Sequence, residues 1–263
     1  MQSTSEPLAT PASVVAEDIW VGFAIRYHLP ESTLRGAFVK SLEGLAKRRL
    51  QGAGRREFFW ALQGISLQAQ PGDVVGIIGK NGSGKTTLLK TLAGIWQPDR
   101  GQVDVHGVVS CLMSFGVGFR PNLSGRENVF VNGSILGLSR RQIGERLESI
   151  VELSELGAFI DAPVRTYSAG MKGRLGFSIA VHIDPDVMLL DEVLTVGDAA
   201  FRARAGSILD RLRENHKTIF LATHSLDMVR KSCTRAIWLE KGKIRLEGPA
   251  EEVARAYQSE TGG

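Results

Sequence analysis

The sequence of 263 residues predicts an α/β fold on a mixed, mainly parallel sheet, and three observations predict it. From Phe59 onward, apolar runs of strand length alternate with stretches of helical periodicity. A glycine-rich loop joins one such run, Val74–Ile78, to an apolar helix. A second run, Val187–Leu190, ends in two adjacent carboxylates, Asp191 and Glu192.

The elements follow in order. Residues 1–13 are rich in Ser, Thr and Pro and read as a flexible tail. A strand is expected over Val14–Phe23. Residues 31–50 read as a helix, because Leu34, Phe38, Leu42 and Leu45 draw one apolar stripe. Between Arg26 and Arg56 stand eight Lys/Arg (Arg26, Arg35, Lys40, Lys47, Arg48, Arg49, Arg55, Arg56) against Glu31 and Glu43. The stretch is therefore basic and amphipathic, the composition of a helix that lies on a membrane surface or a partner, although a helix packed on its own domain has the same pattern. Gln51–Gly54 ends it. Further strands are expected at Val74–Ile78, Val187–Leu190, Thr218–Thr223 and Ala236–Glu240. Helices are expected at Lys85–Ala93, Arg140–Ser149, Ala169–Ile183, Ala199–Glu214 and Leu226–Ser232.

Composition narrows the function. Hydrophobic residues make up 43% and charged residues 23%, ordinary globular usage that excludes a disordered or fibrous chain. A net charge of +4 is too small to imply nucleic acid by itself. Two cysteines, Cys111 and Cys233, cannot make a disulfide framework, which points to a reducing compartment. No apolar run approaches the roughly 20 residues that cross a bilayer. The start lacks the basic-then-apolar pattern of a secretory signal.

The segment Gly79-Lys80-Asn81-Gly82-Ser83-Gly84-Lys85-Thr86 fits the pattern G-x-x-x-x-G-K-[ST], and it has the strand before it and the helix from Thr87 after it that the motif needs. Its glycines let backbone N–H groups curl around a phosphate, and the helix N-terminus adds positive potential. Lys85 reaches the β- and γ-phosphates, and Thr86 offers a hydroxyl oxygen to Mg²⁺. The competing reading, a plain Gly-rich turn, does not ask for Lys and Thr at these places. This motif alone does not choose between a kinase, a GTPase and a transporter motor. Asp191 at its strand end is placed to hold Mg²⁺, and Glu192 to polarise an attacking water. Taken alone the acid pair reads equally well as a solvated turn; beside a phosphate loop it reads as catalytic.

Tyr167-Ser168-Ala169-Gly170-Met171 precedes a long helix just upstream of the acids. Val196-Gly197-Asp198 and Thr223-His224-Ser225 follow them. This order resembles that of the ATP-binding cassette (ABC) ATPases, with Tyr167–Met171 at the signature, Asp198 at the D-loop and His224 at the switch histidine. The stretch Leu112-Met113-Ser114-Phe115-Gly116-Val117-Gly118-Phe119-Arg120-Pro121-Asn122-Leu123-Ser124-Gly125-Arg126-Glu127-Asn128 narrows the resemblance further. With the basic insertion before Trp60-Ala61-Leu62, it is similar to the ATPase subunit of bacterial polysaccharide exporters of O-antigen, capsule or teichoic acid, in the form without a C-terminal carbohydrate-binding domain.

The resemblance implies an ABC nucleotide-binding domain over 14–257, a P-loop NTPase with an antiparallel β subdomain and an α-helical signature subdomain. The insertion would occupy 28–56, the coupling loop and helical subdomain 112–183, and a tail 258–263. It implies ATP and Mg²⁺ as cofactors and a homodimer in which Ser168 and Gly170 of one copy meet the nucleotide of the other. It implies as partners an ABC-2-type transmembrane permease dimer and, through it, a lipid-linked polysaccharide, with no nucleic acid and a peripheral position on the cytoplasmic side of the inner membrane. Phe23, with Tyr27 second, aligns with the aromatic that stacks on adenine. Phe115–Arg126 would be a loop that meets the permease. Where the family usually has a Gln before the helical subdomain, this chain has Ser114, a shorter Mg²⁺ ligand. The alternative reading is a non-transport ABC ATPase acting on nucleic acid or ribosomes.

Overall fold

The computed structural model describes residues 13–25, 57–113, 118–191 and 198–262. In chain order these form β1 (Val14–Ile25), β2 (Glu57–Ala69), β3 (Val74–Ile78), α1 (Lys85–Leu92), β4 (Arg100–Val105) and β5 (Val109–Leu112). The helices α2 (Gly125–Ile135), α3 (Arg140–Ser154) and α4 (Ala169–Val181) follow. Then come β6 (Val187–Asp191), α5 (Ala199–Glu214), β7 (Thr218–Ala222), α6 (Leu226–Ser232), β8 (Arg235–Glu240), β9 (Lys243–Pro249) and α7 (Ala250–Thr261).

The strands make two sheets. The larger has the order β5-β6-β7-β3-β8-β9, parallel as far as β8 and closed by antiparallel β9. The smaller is antiparallel, in the order β2-β1-β4. Alternation within the parallel strands explains the layering, because successive side chains point to opposite faces. Val187 and Leu189 of β6 and Phe220 of β7 join α1 and the inner face of the small sheet in one core. Met188, Leu190, Ile219 and Leu221 face the other way, against Phe177 of α4 and Phe201 and Leu209 of α5. A strand buried on both faces has to be apolar throughout, which is why Val74–Ile78 and Thr218–Ala222 show no polar residue on a solvent side.

A separate core, with Val129, Ile143, Ile150, Ile160, Val164, Leu175 and Ile179, holds α2, α3 and α4 together as a helical subdomain. Two capping boxes start its first helices. Ser124 and Glu127 bond reciprocally at α2, and Ser139 and Gln142 do so at α3. Within the described residues no helix is long and apolar enough to cross a membrane.

Several expected boundaries move. The Phe115–Arg126 loop is shorter than expected, since α2 already begins at Gly125 where the Ser124 cap forces helix. The expected tail 258–263 starts inside α7, whose Val253 and Ala254 are buried against Trp238 and which runs to Thr261. The helix expected to end at Ser149 continues to Ser154, and the one expected to reach Ile183 stops at Val181. Residues 1–12 and the insertion 28–56 lie outside the described residues, as do 114–117, which include Ser114. Both cysteines are free, and burial pushes each thiol up to about 12, so neither is primed as a nucleophile.

Candidate functional site

The carboxyl ends of β6, β7 and β3 stand side by side in the sheet, and each delivers one part of the site. This is the edge of a parallel sheet at which open α/β folds bind ligands.

From β3 the chain enters the phosphate loop. Gly79 sits at φ +152, and a Cβ there would lie 2.3 Å from the Leu239 carbonyl oxygen. Gly84 sits at φ +109, and its Cβ would lie 2.7 Å from the Ala61 carbonyl oxygen. Both positions therefore require glycine on contact and, at Gly84, on backbone conformation as well. Gly84→Ala is expected to lower stability by about 1–3 kcal/mol through that strain and to weaken triphosphate binding. Thermal unfolding and calorimetry measure the two effects, and an unchanged melting temperature would count against the strain.

Lys80, Asn81 and Gly82 form an exposed rim, while Ser83 is buried and its backbone N–H donates to the Lys80 carbonyl at 3.1 Å. Lys85 is drawn under the loop, 7% exposed, its Nζ donating to the carbonyls of Gly79 at 2.8 Å and Lys80 at 3.2 Å. Its charge is thus fixed beside the space the loop encloses. Lys85 also opens α1, so the first N–H groups of that helix lack intrahelical acceptors and face an incoming anion.

Asp191 closes β6, and the Thr86 hydroxyl donates to its Oδ2 at 2.6 Å. The two oxygens sit together beside the phosphate loop, a hard-oxygen pair of the kind that completes a Mg²⁺ shell with phosphate and water. Thr86 and Asp191 therefore fit the ion expected from the sequence.

The phosphate loop, Lys85, Thr86, Thr87 and Asp191 line one cleft of about 580 Å³, together with Phe23, Phe59, Ala61 and Met113. Phe23 is 38% exposed. Phe59 had no signal in the linear pattern beyond strand-like alternation, because its place in the cleft comes from cross-strand register: it pairs directly with Phe23 between β2 and β1.

His224 follows β7 and is exposed. Its neighbours fix it: the Thr223 N–H donates to the Ile77 carbonyl at 3.2 Å, and the Ser225 N–H to the Thr223 hydroxyl at 3.1 Å.

The Tyr167–Met171 segment does not line the cleft. Ser168 caps α4, its hydroxyl accepting from the Met171 N–H at 3.2 Å, and Ser168 and Ala169 are exposed while Gly170 and Met171 are half-buried. The helix start is thus presented outward. Tyr167, placed by the sequence with the nucleotide-contacting signature, turns inward instead. Its ring is buried in the helical core and its hydroxyl donates to the Phe159 carbonyl at 2.5 Å, with Gly125 leaving the room that hydroxyl needs. Asp198 caps α5 by accepting from the Phe201 N–H at 2.8 Å, a bond that holds its carboxyl below the usual range. Glu155 receives Arg174 of α4 at 3.3 Å and Arg204 of α5, tying the two capped helices to the end of α3.

Glu192, Tyr27, Val196, Gly197 and the basic insertion lie outside the described residues.

Comparison with known proteins bears on this arrangement. Residues 62–195 match the family model described as ABC transporter. The chain is 41% identical over 247 residues to an O-antigen export system ATP-binding protein, RfbB, of Myxococcus xanthus, covering 94% of this chain and 55% of that protein. It is 39% identical to RfbB of Klebsiella pneumoniae, covering 85% of this chain and 90% of that one. It is 39% identical to a teichoic acids export ATP-binding protein, TagH, of Bacillus cereus, covering 89% of this chain and 40% of that one. It thus spans little more than half of the Myxococcus protein and well under half of TagH. Among solved structures, a dimeric ATP-binding cassette in a post-hydrolysis state bound to ADP and Pi superposes with a TM-score of 0.72 at 19% identity, over 90% of this chain and 98% of that one, a likeness of fold.

Proposed function

Since this chain belongs to the ABC transporter family, we propose that it is the ATP-hydrolysing subunit of a polysaccharide exporter, working as a pair of copies on a membrane permease. The observation that carries this reading is the contrast within the site. Phosphate loop, Lys85 and the Thr86–Asp191 pair converge on one cleft, while the Ser168-capped start of α4 points outward from it. A helix start presented outward is suited to an anion held by another molecule. Two copies set head to tail would then close each cleft with the partner copy's signature.

In this mechanism ATP enters the cleft with its phosphates on the loop N–H groups and Lys85. Thr86 and Asp191 would hold Mg²⁺, which supplies positive charge against the phosphate oxygens. Glu192, next after Asp191, takes the proton of the attacking water. His224 bonds the γ-phosphate from the end of β7. Ser168 and Gly170 of the second copy bind the same phosphate, so ATP joins the two copies and its cleavage removes the join. Glu155, by pairing with both Arg174 and Arg204, links α4 to α5. Asp198 keeps α5 capped at the place where the two copies would meet.

The transported glycan, of O-antigen, capsule or teichoic-acid type on a lipid anchor, passes through an ABC-2-type permease dimer, and the names of the relatives favour this over a role on nucleic acid or ribosomes. The subunit sits on the cytoplasmic face of the inner membrane, its basic 28–56 stretch toward permease or headgroups. The test is reconstitution in vesicles with the permease encoded beside it. ATP-dependent movement of lipid-linked glycan supports the reading. Robust ATP hydrolysis that never moves glycan in the presence of that permease would remove the export part of it.

A further inference from the structure

A second cavity, of about 450 Å³, lies between α3, the end of α4 and α5, and it shares no residue with the triphosphate cleft. Helical periodicity builds its walls. Ser149, Glu152 and Leu153 stand on one face of α3, and Arg204, Ile208 and Arg211 follow the same spacing of three and four along α5. The floor is apolar. Leu153, Val181, Ile208 and Leu212 all reach the core that α4 and α5 share with the sheet. The rim is polar, and its charges are not all used by the fold. Arg204 is taken by Glu155. Glu152 on α3 and Arg211 on α5 are both exposed, and among the described residues neither makes an ion pair. They carry opposite charges on opposite walls of one cavity, too far apart to pair with each other. His182, at the α4 end, adds a third polar group. Its Nδ1 stands 2.6 Å from the Ser178 carbonyl, which can only accept, so Nδ1 carries the proton. Burial, joined by the Arg146 charge, holds His182 below its usual range against the pull of the Ser178 bond, so the ring is neutral near pH 7. Nε2 is then an acceptor with no partner among the described residues.

A carboxylate and a guanidinium held apart, an imidazole acceptor and an apolar floor complement one kind of molecule. An ammonium group would meet Glu152 and the His182 Nε2. A carboxylate would take two parallel bonds from the planar Arg211 guanidinium. An apolar body would cover the floor. A simple anion would instead face the uncompensated charge of Glu152, and an uncharged apolar ligand would strip water from both charges without replacing it. We propose that this cavity binds a small zwitterion with an apolar body, of the class of the aromatic and branched amino acids. The occupant would bridge α3 of the helical subdomain to α5, beside the link that Glu155 already makes to Arg204.

The test reads each charge separately. Calorimetry on the full chain is run with L-phenylalanine, L-leucine and L-tryptophan, then with 3-phenylpropionate, which lacks the ammonium, and phenethylamine, which lacks the carboxylate. At least one amino acid should bind, and phenylalanine should exceed each single-charge probe by about 5- to 50-fold, the range of one charge-assisted bond at a partly open site. Arg211→Gln should weaken phenylalanine by a similar factor and leave phenethylamine unchanged. Glu152→Gln should weaken phenylalanine and leave 3-phenylpropionate unchanged. Both side chains are exposed and unpaired among the described residues, so neither change should move the melting temperature. Saturating ATP should leave phenylalanine bound, because the two cavities have separate walls. Absence of binding for all three amino acids at about 10 mM would overturn the assignment, as would single-charge probes that bind equally well. Parent-like phenylalanine affinity in both variants, or displacement of phenylalanine by ATP, would overturn it too.

Discussion

Glu192→Gln is expected to bind ATP within a few-fold of the parent, to lose about 10²–10⁴-fold in hydrolysis, and to accumulate as an ATP-bound pair of copies. The argument runs from the end of β6. Asp191 is the last residue of that strand and meets Thr86 at 2.6 Å, so the strand ends at the phosphate cleft, and Glu192 is the next residue of the chain. A glutamate carboxylate can take a proton from the attacking water, whereas an amide of the same shape cannot. Removing only the proton acceptor leaves the phosphate loop, Lys85 and the outward-facing signature untouched, so association driven by ATP persists while the step that ends it is blocked. Size-exclusion chromatography with ATP and Mg²⁺ reads the outcome. A shift to the dimer position that the parent shows only transiently is expected, and elution as monomer alone would contradict it.

Lys85→Ala has the opposite signature: the chain should fail at the first step. The Lys85 ammonium is buried and held at 2.8 Å from the Gly79 carbonyl, which aims its charge at the loop's interior rather than at solvent. Charge-assisted hydrogen bonds contribute about 1.5–3 kcal/mol each, so losing those to two phosphates should weaken ATP by roughly 100-fold or more. Since the same side chain bonds two loop carbonyls, some loss of thermal stability is expected too, and Lys85→Arg helps separate the effects by keeping the charge while changing the fit. Calorimetry showing unchanged ATP affinity for the alanine variant would remove Lys85 from the site.

The parts of the site that were legible in the sequence are those whose geometry is local. Glycines at 79 and 84, a lysine and a threonine dictate a loop shape within eight residues, and the backbone angles at Gly82 and Gly84 follow from that shape. Apolar strands buried on both faces were equally legible, because burial on two sides leaves only one composition. Sheet order was not, since nothing local to β3 says that β7 and β8 flank it. Phe59 was missed for the same reason: its partner Phe23 lies in another strand, and only the β1–β2 register places both over the cleft. Tyr167 was read with the nucleotide-contacting residues because it is adjacent to Ser168 in sequence. Yet α4's cap turns Ser168 outward while the helical core takes the ring of its neighbour. The α2 start was hidden behind a glycine-rich run, although the Ser124–Glu127 pair is the sequence mark of a capping box. The final helix was hidden by the absence of a side-chain cap, since Pro249 precedes it, yet Val253 and Tyr257 already stood four apart on one face.

The central claim is that ATP is cleaved only between two copies, and the dependence of rate on protein concentration tests it most directly. With purified chain at saturating ATP and Mg²⁺, below the concentration at which copies associate, the hydrolysis rate should rise with the square of protein concentration and become linear only once pairs predominate. A rate strictly proportional to concentration throughout, from material shown to be monomeric, would mean that one copy suffices and would contradict the account.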